Sequence, residues 1–169
     1  ATSEDVGATL GSGDFGVTGR TGEIINKAAR EAARAEDGLG NALGSELTLI
    51  NPPYLEKSVL AAAVRLKMPM TIHAAIGTDV YNIHPDADGA ALGAATMHDF
   101  RLFCWMVSNL EDGVFINLGS AVIMPEVFLK ALTLVRNLGH NIDRLTTVYM
   151  DFIRHFSPLA NVVVRSIQN

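Results

Sequence analysis

MTIHAAIGTD, residues 70–79, is the stretch on which the fold turns. Its first seven residues are an apolar run set between Met68-Pro69 and Gly77, which is the length and punctuation of a buried strand. Just before it, YLEKSVLAAAVRLK (54–67) places Leu55, Val59, Leu60, Ala63, Val64 and Leu66 on one broad face at helical spacing, so a helix feeds the strand. The same alternation extends in both directions. LTLI (47–50), VFINL (114–118), LTTVYM (145–150) and ANVVV (160–164) read as further short strands, the first stopped by Asn51-Pro52-Pro53 and the third ending at Asp151. Residues 21–36 and PEVFLKALTLVRNLG (125–139) read as helices, the second bracketed by a proline and a glycine. A further buried helix follows Thr96, with Asp99 three residues on as a first-turn cap that complements the helix dipole. Strands that are continuous apolar runs between helices indicate a parallel sheet covered on both faces. The expected fold is therefore α/β, a doubly wound, Rossmann-like parallel sheet, in a single domain over residues 1–169.

Composition narrows the function classes. A hydrophobic fraction of 49% with 18% charged residues is that of a globular protein with a sizeable core. The net charge of −5, with no lysine or arginine run, excludes a nucleic-acid partner that relies on phosphate neutralisation and leaves small molecules or proteins. The single cysteine, Cys104, allows no intramolecular disulfide and reads as a core residue, which suits a reducing compartment. No apolar run has the length of a membrane span and no signal-peptide pattern opens the chain, so the expectation is a cytoplasmic protein without membrane contact. A first residue of Ala rather than Met is consistent with a piece of a longer chain.

In an open parallel sheet, ligands bind outside the carboxyl ends of the strands. Those ends carry Gly77-Thr78-Asp79, Asn117 with Gly119-Ser120, and Asp151, where glycine and serine permit close backbone approach and aspartate accepts from ribose hydroxyls or an amine. Asp79 stands out because it follows Gly-Thr directly at a strand end. Glycines 11, 13 and 16 in GSGDFGVTGRTG (11–22) have dinucleotide-fingerprint spacing, but ATSEDVGATL before them is a poor strand, so a ligand is expected at the strand ends and not there. His73, Asp79 and His84, with Asp86 and Asp88 nearby, also suit a metal-assisted hydrolase, although their separations match no defined ligand spacing. His73 reads equally well as a core histidine, and Phe100, Phe103 and Trp105 as an aromatic core face.

Four passages then bear a family likeness: GLGNALGSE (38–46), KSVLAAAVRLKMPMTIHAAIGTD (57–79), DFRLFCWMVSNLEDGVFINLGSAVIMPEVF (99–128) and LVRNLGHNIDRLTTVYMD (134–151). In order and pattern they resemble deoxyhypusine synthase, an NAD-dependent enzyme that transfers the aminobutyl group of spermidine to a protein lysine. The resemblance implies NAD as cofactor, an amine or polyamine ligand, Asp79 at the loop lining the polyamine and nicotinamide pocket, and Gly119 and Ser120 at the cofactor with Thr146 and Thr147 nearby; the strand-end reading adds Gly77, Thr78 and Asp151 to the expected cofactor residues, and His84 is expected beside Asp79 in catalysis. It also implies a homo-oligomer, since the family forms tetramers with sites at subunit interfaces. The sequence departs from the family at the Trp-Gly-Lys motif that carries the imine-forming lysine: its only tryptophan, Trp105, is followed by Met106. Aminobutyl transfer thus lacks its covalent carrier. A non-catalytic nucleotide-binding or assembly protein is the alternative.

Overall fold

The computed structural model describes residue 11 and residues 19–167, so the glycine motif at 11–16 lies largely outside the described residues. The chain divides into two compact units, one ending at Asp99 and the other beginning at Phe100.

The first unit contains α1 (Gly19–Ala35), α2 (Leu39–Ile50), α3 (Val59–Leu66) and the first half of α4 (Gly89–Ser108), with single-turn helices at Leu55–Lys57 and Val80–Ile83. Ala28, Ala29 and Ala32 of α1 pack with Leu39, Leu43, Leu92 and Ala95 to form its core. Small side chains dominate because backbones approach closely. A methyl group at Gly44 would lie 2.6 Å from the Val64 side chain, and one at Gly40 would overlap the Met70 carbonyl oxygen. α3 begins at Ser58, whose hydroxyl accepts from the Ala61 amide, and ends at Lys67 in the left-handed region. It is shorter than the expected helix over 54–67 because Pro52-Pro53 and a left-handed Tyr54 precede it.

The doubly wound sheet is not present: among the described residues the only sheet is one pair of strands, and helix dominates the chain. Three of the five expected strands fail for separate reasons. LTLI (47–50) is the last turn of α2, closed by left-handed Asn51, whose amide donates to the Leu47 carbonyl. Residues 159–164 form a wide helical turn that buries Asn161 and Val162. MTIHAAI (70–76) has no regular secondary structure as far as Ala75, and a turn begins at Ile76.

Side chains of α4 take the place of a neighbouring strand. The Thr96 hydroxyl accepts from the Ala74 amide at 2.9 Å and donates to the Ile72 carbonyl at 3.0 Å. One turn further on, Asp99 Oδ2 accepts from the Ile72 amide at 2.8 Å. α4 starts at Gly89, capped by Asp88 Oδ1 accepting from the Ala90 and Ala91 amides. Thr96 and Asp99 are therefore interior helix residues, not the cap expected of them.

The second unit is built on a β-α-β element: β1 (Val114–Leu118), α5 (Ile123–Asn137) and β2 (Thr146–Met150), with the strands parallel and Val114 opposite Thr146. Phe128 of α5 stacks on Phe115 of β1 at 3.7 Å between ring centroids, and Phe103 meets Phe115 edge-on at 6.4 Å. Cys104, Val107, Ala131, Leu132, Val135, Ile142 and Val162 complete this core. The opposite strand face stays open, with Val114, Ile116 and Leu118 more than half exposed. No helix among the described residues is long and apolar enough to cross a membrane.

Replacing Thr96 by valine keeps the side chain's shape but removes both hydrogen bonds to residues 72 and 74. The expected loss is about 1–3 kcal/mol of stability from the polar groups left unpaired, read as a lower urea midpoint, with Thr96→Ser retaining most of the wild-type value.

Candidate functional site

The expected site residues fall into both units. In the second, the carboxyl edge of the strand pair brings Gly119, Ser120 and Asp151 together. Gly119 turns the chain in the left-handed region at φ +69, and its amide donates to the Met150 carbonyl at 2.9 Å, next to Asp151. Buried Asn117 donates its side-chain amide to the Ser120 carbonyl at 2.9 Å and so sets the turn. Thr146 and Thr147 are elsewhere. Thr146 pairs with Val114 at the amino end of β1, four residues and roughly 13 Å down the strand from Leu118.

This edge is poor in anion donors. The Met124 amide of α5 already donates to Ser120 Oγ at 3.1 Å, Pro125 has no amide hydrogen, and the Glu126 amide donates to the Val122 carbonyl. Glu126 also adds negative charge to the first turn. Asp151 Oδ1 accepts from the Phe152 amide at 2.7 Å. Its Oδ2 faces His155 Nε2 at 3.9 Å, too long for a hydrogen bond, and so keeps acceptor capacity. Tyr149 holds this loop by donating its hydroxyl to the Ile153 carbonyl and accepting from the His155 amide.

In the first unit Gly77, Thr78, Asp79 and His84 lie around the single turn Val80–Ile83, which Asp79 precedes and His84 follows. Gly77 adopts φ +96, and the Thr78 hydroxyl donates to the Ala75 carbonyl. Asp79 Oδ2 accepts from the Ala75 amide at 3.1 Å and from the Tyr81 hydroxyl at 2.8 Å. Burial, then this bond to Asp79, raises the Tyr81 phenol above its usual range. His84 accepts at Nδ1 from the Asp86 amide, and its ring covers Gly22 so closely that a methyl there would come within 2.7 Å of it. Both residues thus hold the loop in place. Burial lowers the pKa of His73, whose Nε2 lies 3.1 Å from Thr71 Oγ1. Among the described residues no group of three or more His, Cys, Asp or Glu is arranged to hold a metal ion, so His73, Asp79 and His84 do not form the metal site considered from the sequence.

The most unusual electrostatic position belongs to Asp99, which sequence reasoning reduced to a cap. It is fully buried, and its Oδ2 accepts from the amides of both Gly40 and Ile72. Its Oδ1 has no partner, and neither does the sealed Nδ1 of His98. The only signal in the sequence was an aspartate inside a strongly apolar segment.

Burial raises the Asp99 carboxyl above 3.8, opposed by its two backbone hydrogen bonds and by His98. A raised native pKa favours the neutral form in the folded state. Its stabilising contribution is complete below the ordinary carboxylate range and is lost as pH rises through the raised native value. A carbon-13 titration of the Asp99 carboxyl should therefore show a midpoint above 3.8, accompanied by a declining Asp99 contribution to the denaturation midpoint across that window. A midpoint at or below the ordinary value contradicts this. Comparison of the chain with protein-family models, curated proteins and solved structures finds no match.

Proposed function

We propose that the chain binds a small cationic amine at the carboxyl edge of its β-α-β element, with Asp151 as counter-charge and Gly119 and Ser120 allowing close approach. One observation carries this reading: the edge sets an aspartate with spare acceptor capacity beside a helix whose first turn has its Met124 and Glu126 amides engaged and bears Glu126. Such an edge attracts an ammonium group more than a phosphate. This agrees with the polyamine ligand that the likeness to deoxyhypusine synthase implies.

NAD belongs to the same proposal as the hydride acceptor for a bound amine, held by contacts other than a pyrophosphate cradle on α5. Aminobutyl transfer does not belong to it. Lys27 pairs with Glu46 at 2.7 Å on the helical surface, Lys57 and Lys67 lie at the ends of short helices, and Lys130 is exposed on α5. None is the desolvated nucleophile that transfer needs. A cytoplasmic location with a small-molecule partner completes the reading. A non-catalytic assembly role is the second reading, favoured by the open apolar face of Val114, Ile116 and Leu118, which also supports association into a homo-oligomer.

Calorimetric titration with spermidine, with and without NAD, tests the proposal. Asp151→Asn should weaken spermidine binding about tenfold or more, the scale of a lost charge-assisted hydrogen bond. Gly119→Val should weaken it through its unfavourable left-handed backbone. Unchanged affinity in Asp151→Asn, or no binding by the wild-type chain, rejects this site.

A further inference from the structure

Between α1 and α2 of the first unit runs an open groove of about 260 Å³. Its floor is apolar, with Ala32 and Ala35 of α1 facing Ala42 of α2, and Leu49 in the last turn of α2 is 78% exposed beside them. Three carboxylates, Glu31, Asp37 and Glu46, also line it, and no basic residue does.

The negative charge of this rim is poorly answered within the first unit. Glu31 pairs with Arg34 at 2.9 Å and Glu46 Oε1 with Lys27 at 2.7 Å, but both cations are exposed and stand outside the lining. Exposed pairs of this kind are weak and exchange readily for a better-placed cation. Asp37 has only neutral donors: its Oδ1 accepts from the Gly38 amide at 2.7 Å and its Oδ2 from the Asn41 side-chain amide at 2.6 Å.

An alanine floor beneath carboxylates fits a lysine or arginine side chain, whose alkyl stem covers the apolar surface while its head meets the rim. Charge also argues against the chain itself as occupant. Residues 1–18 contain Glu4, Asp5 and Asp14 and no lysine or arginine, and a second copy brings a net charge of −5 with no basic run. The shape of the groove narrows the partner further. Amides and carbonyls along both walls are spent inside α1 and α2, so an extended segment finds no backbone to pair with, whereas a helix satisfies its own.

We propose that the α1–α2 groove docks a basic amphipathic helix of another protein, with aliphatic side chains and lysine or arginine stems on the alanine floor and cationic heads at Glu31, Asp37 and Glu46. This surface lies in the first unit and does not rest on amine binding at Asp151.

The test titrates the intact chain against two fluorescently labelled synthetic helices, read by anisotropy. One carries leucine on one face and lysine on the other; the second has glutamate in place of every lysine. The wild-type chain should bind the lysine helix saturably and the glutamate helix not at all. Ser45→Arg sets a cation on the exposed part of the groove lining, where it meets the incoming cations, and should weaken binding of the lysine helix about tenfold or more. Thr133→Arg makes the same change in net charge on the exposed side of α5 and should leave the affinity unchanged. Absence of saturable binding by the lysine helix, equal binding of the two helices, unchanged affinity in Ser45→Arg, or equal weakening in both variants overturns the proposal. The comparison of the two helices needs only the wild-type chain and decides the question even if Ser45→Arg does not fold.

Discussion

A single buried carboxylate organises the first unit. Asp99 reaches from the middle of α4 to the second residue of α2 and to the irregular segment at Ile72, and it serves as the missing cap of a helix to which it does not belong. The N-cap of α2 is Gly38, which has no side chain with which to satisfy the helix's first amides. A larger residue there would collide with Asp99, so the absent cap and the space for its substitute have the same origin. Thr96, one turn earlier, extends the contact to residues 72 and 74 and lets a helix edge act as the neighbour of a chain segment outside any sheet. A backbone segment without a sheet would otherwise bury unpaired amides at considerable cost.

The second unit depends on apolar contact more than on polar pairing. The stacked Phe115 and Phe128 rings fasten α5 to one face of the strands, and that contact requires Phe115 to point inward. Strand alternation then turns Val114, Ile116 and Leu118 to the other side. At the amino end of the pair, Glu111 Oε2 accepts from the Asp143 and Arg144 amides, and Arg144 pairs with Asp112 at 2.7 Å. These exposed charges set the register of the two strand entries and add little to stability.

The two chemical positions differ because their surroundings treat charge in opposite ways. At the strand ends Asp151 has spare acceptor capacity beside an already occupied helix terminus, which favours a cation arriving from outside. At Asp99 the carboxyl is sealed in, answered by the Gly40 and Ile72 amides, and burial favours its neutral form. Asp79 and His84, the most conspicuous pair in the sequence, belong to neither arrangement, since their hydrogen bonds are spent on the loop they occupy.

Much of the second unit was legible from local pattern. VFINL and the strand at 146–150 are apolar runs rich in β-branched and aromatic residues, and the Pro125 and Gly139 signals bracket α5 closely. Gly119, Ser120 and Asp151 could be placed at one edge because turn chemistry and strand direction are local properties. The fates of residues 47–50, 70–76 and 160–164 were not local, because a short apolar run satisfies a helix or a strand equally well until its neighbours are known. The helix read as following Thr96 in fact begins at Gly89, and the small residues of GAALGAA (89–95) are part of it. Asp99 shows the limit most clearly: its partners lie 59 and 27 residues away, and an aspartate that caps its own helix has the same letter as one that caps another. Chain neighbours decide propensity, whereas burial and hydrogen-bond satisfaction are decided by whatever the folded chain brings alongside.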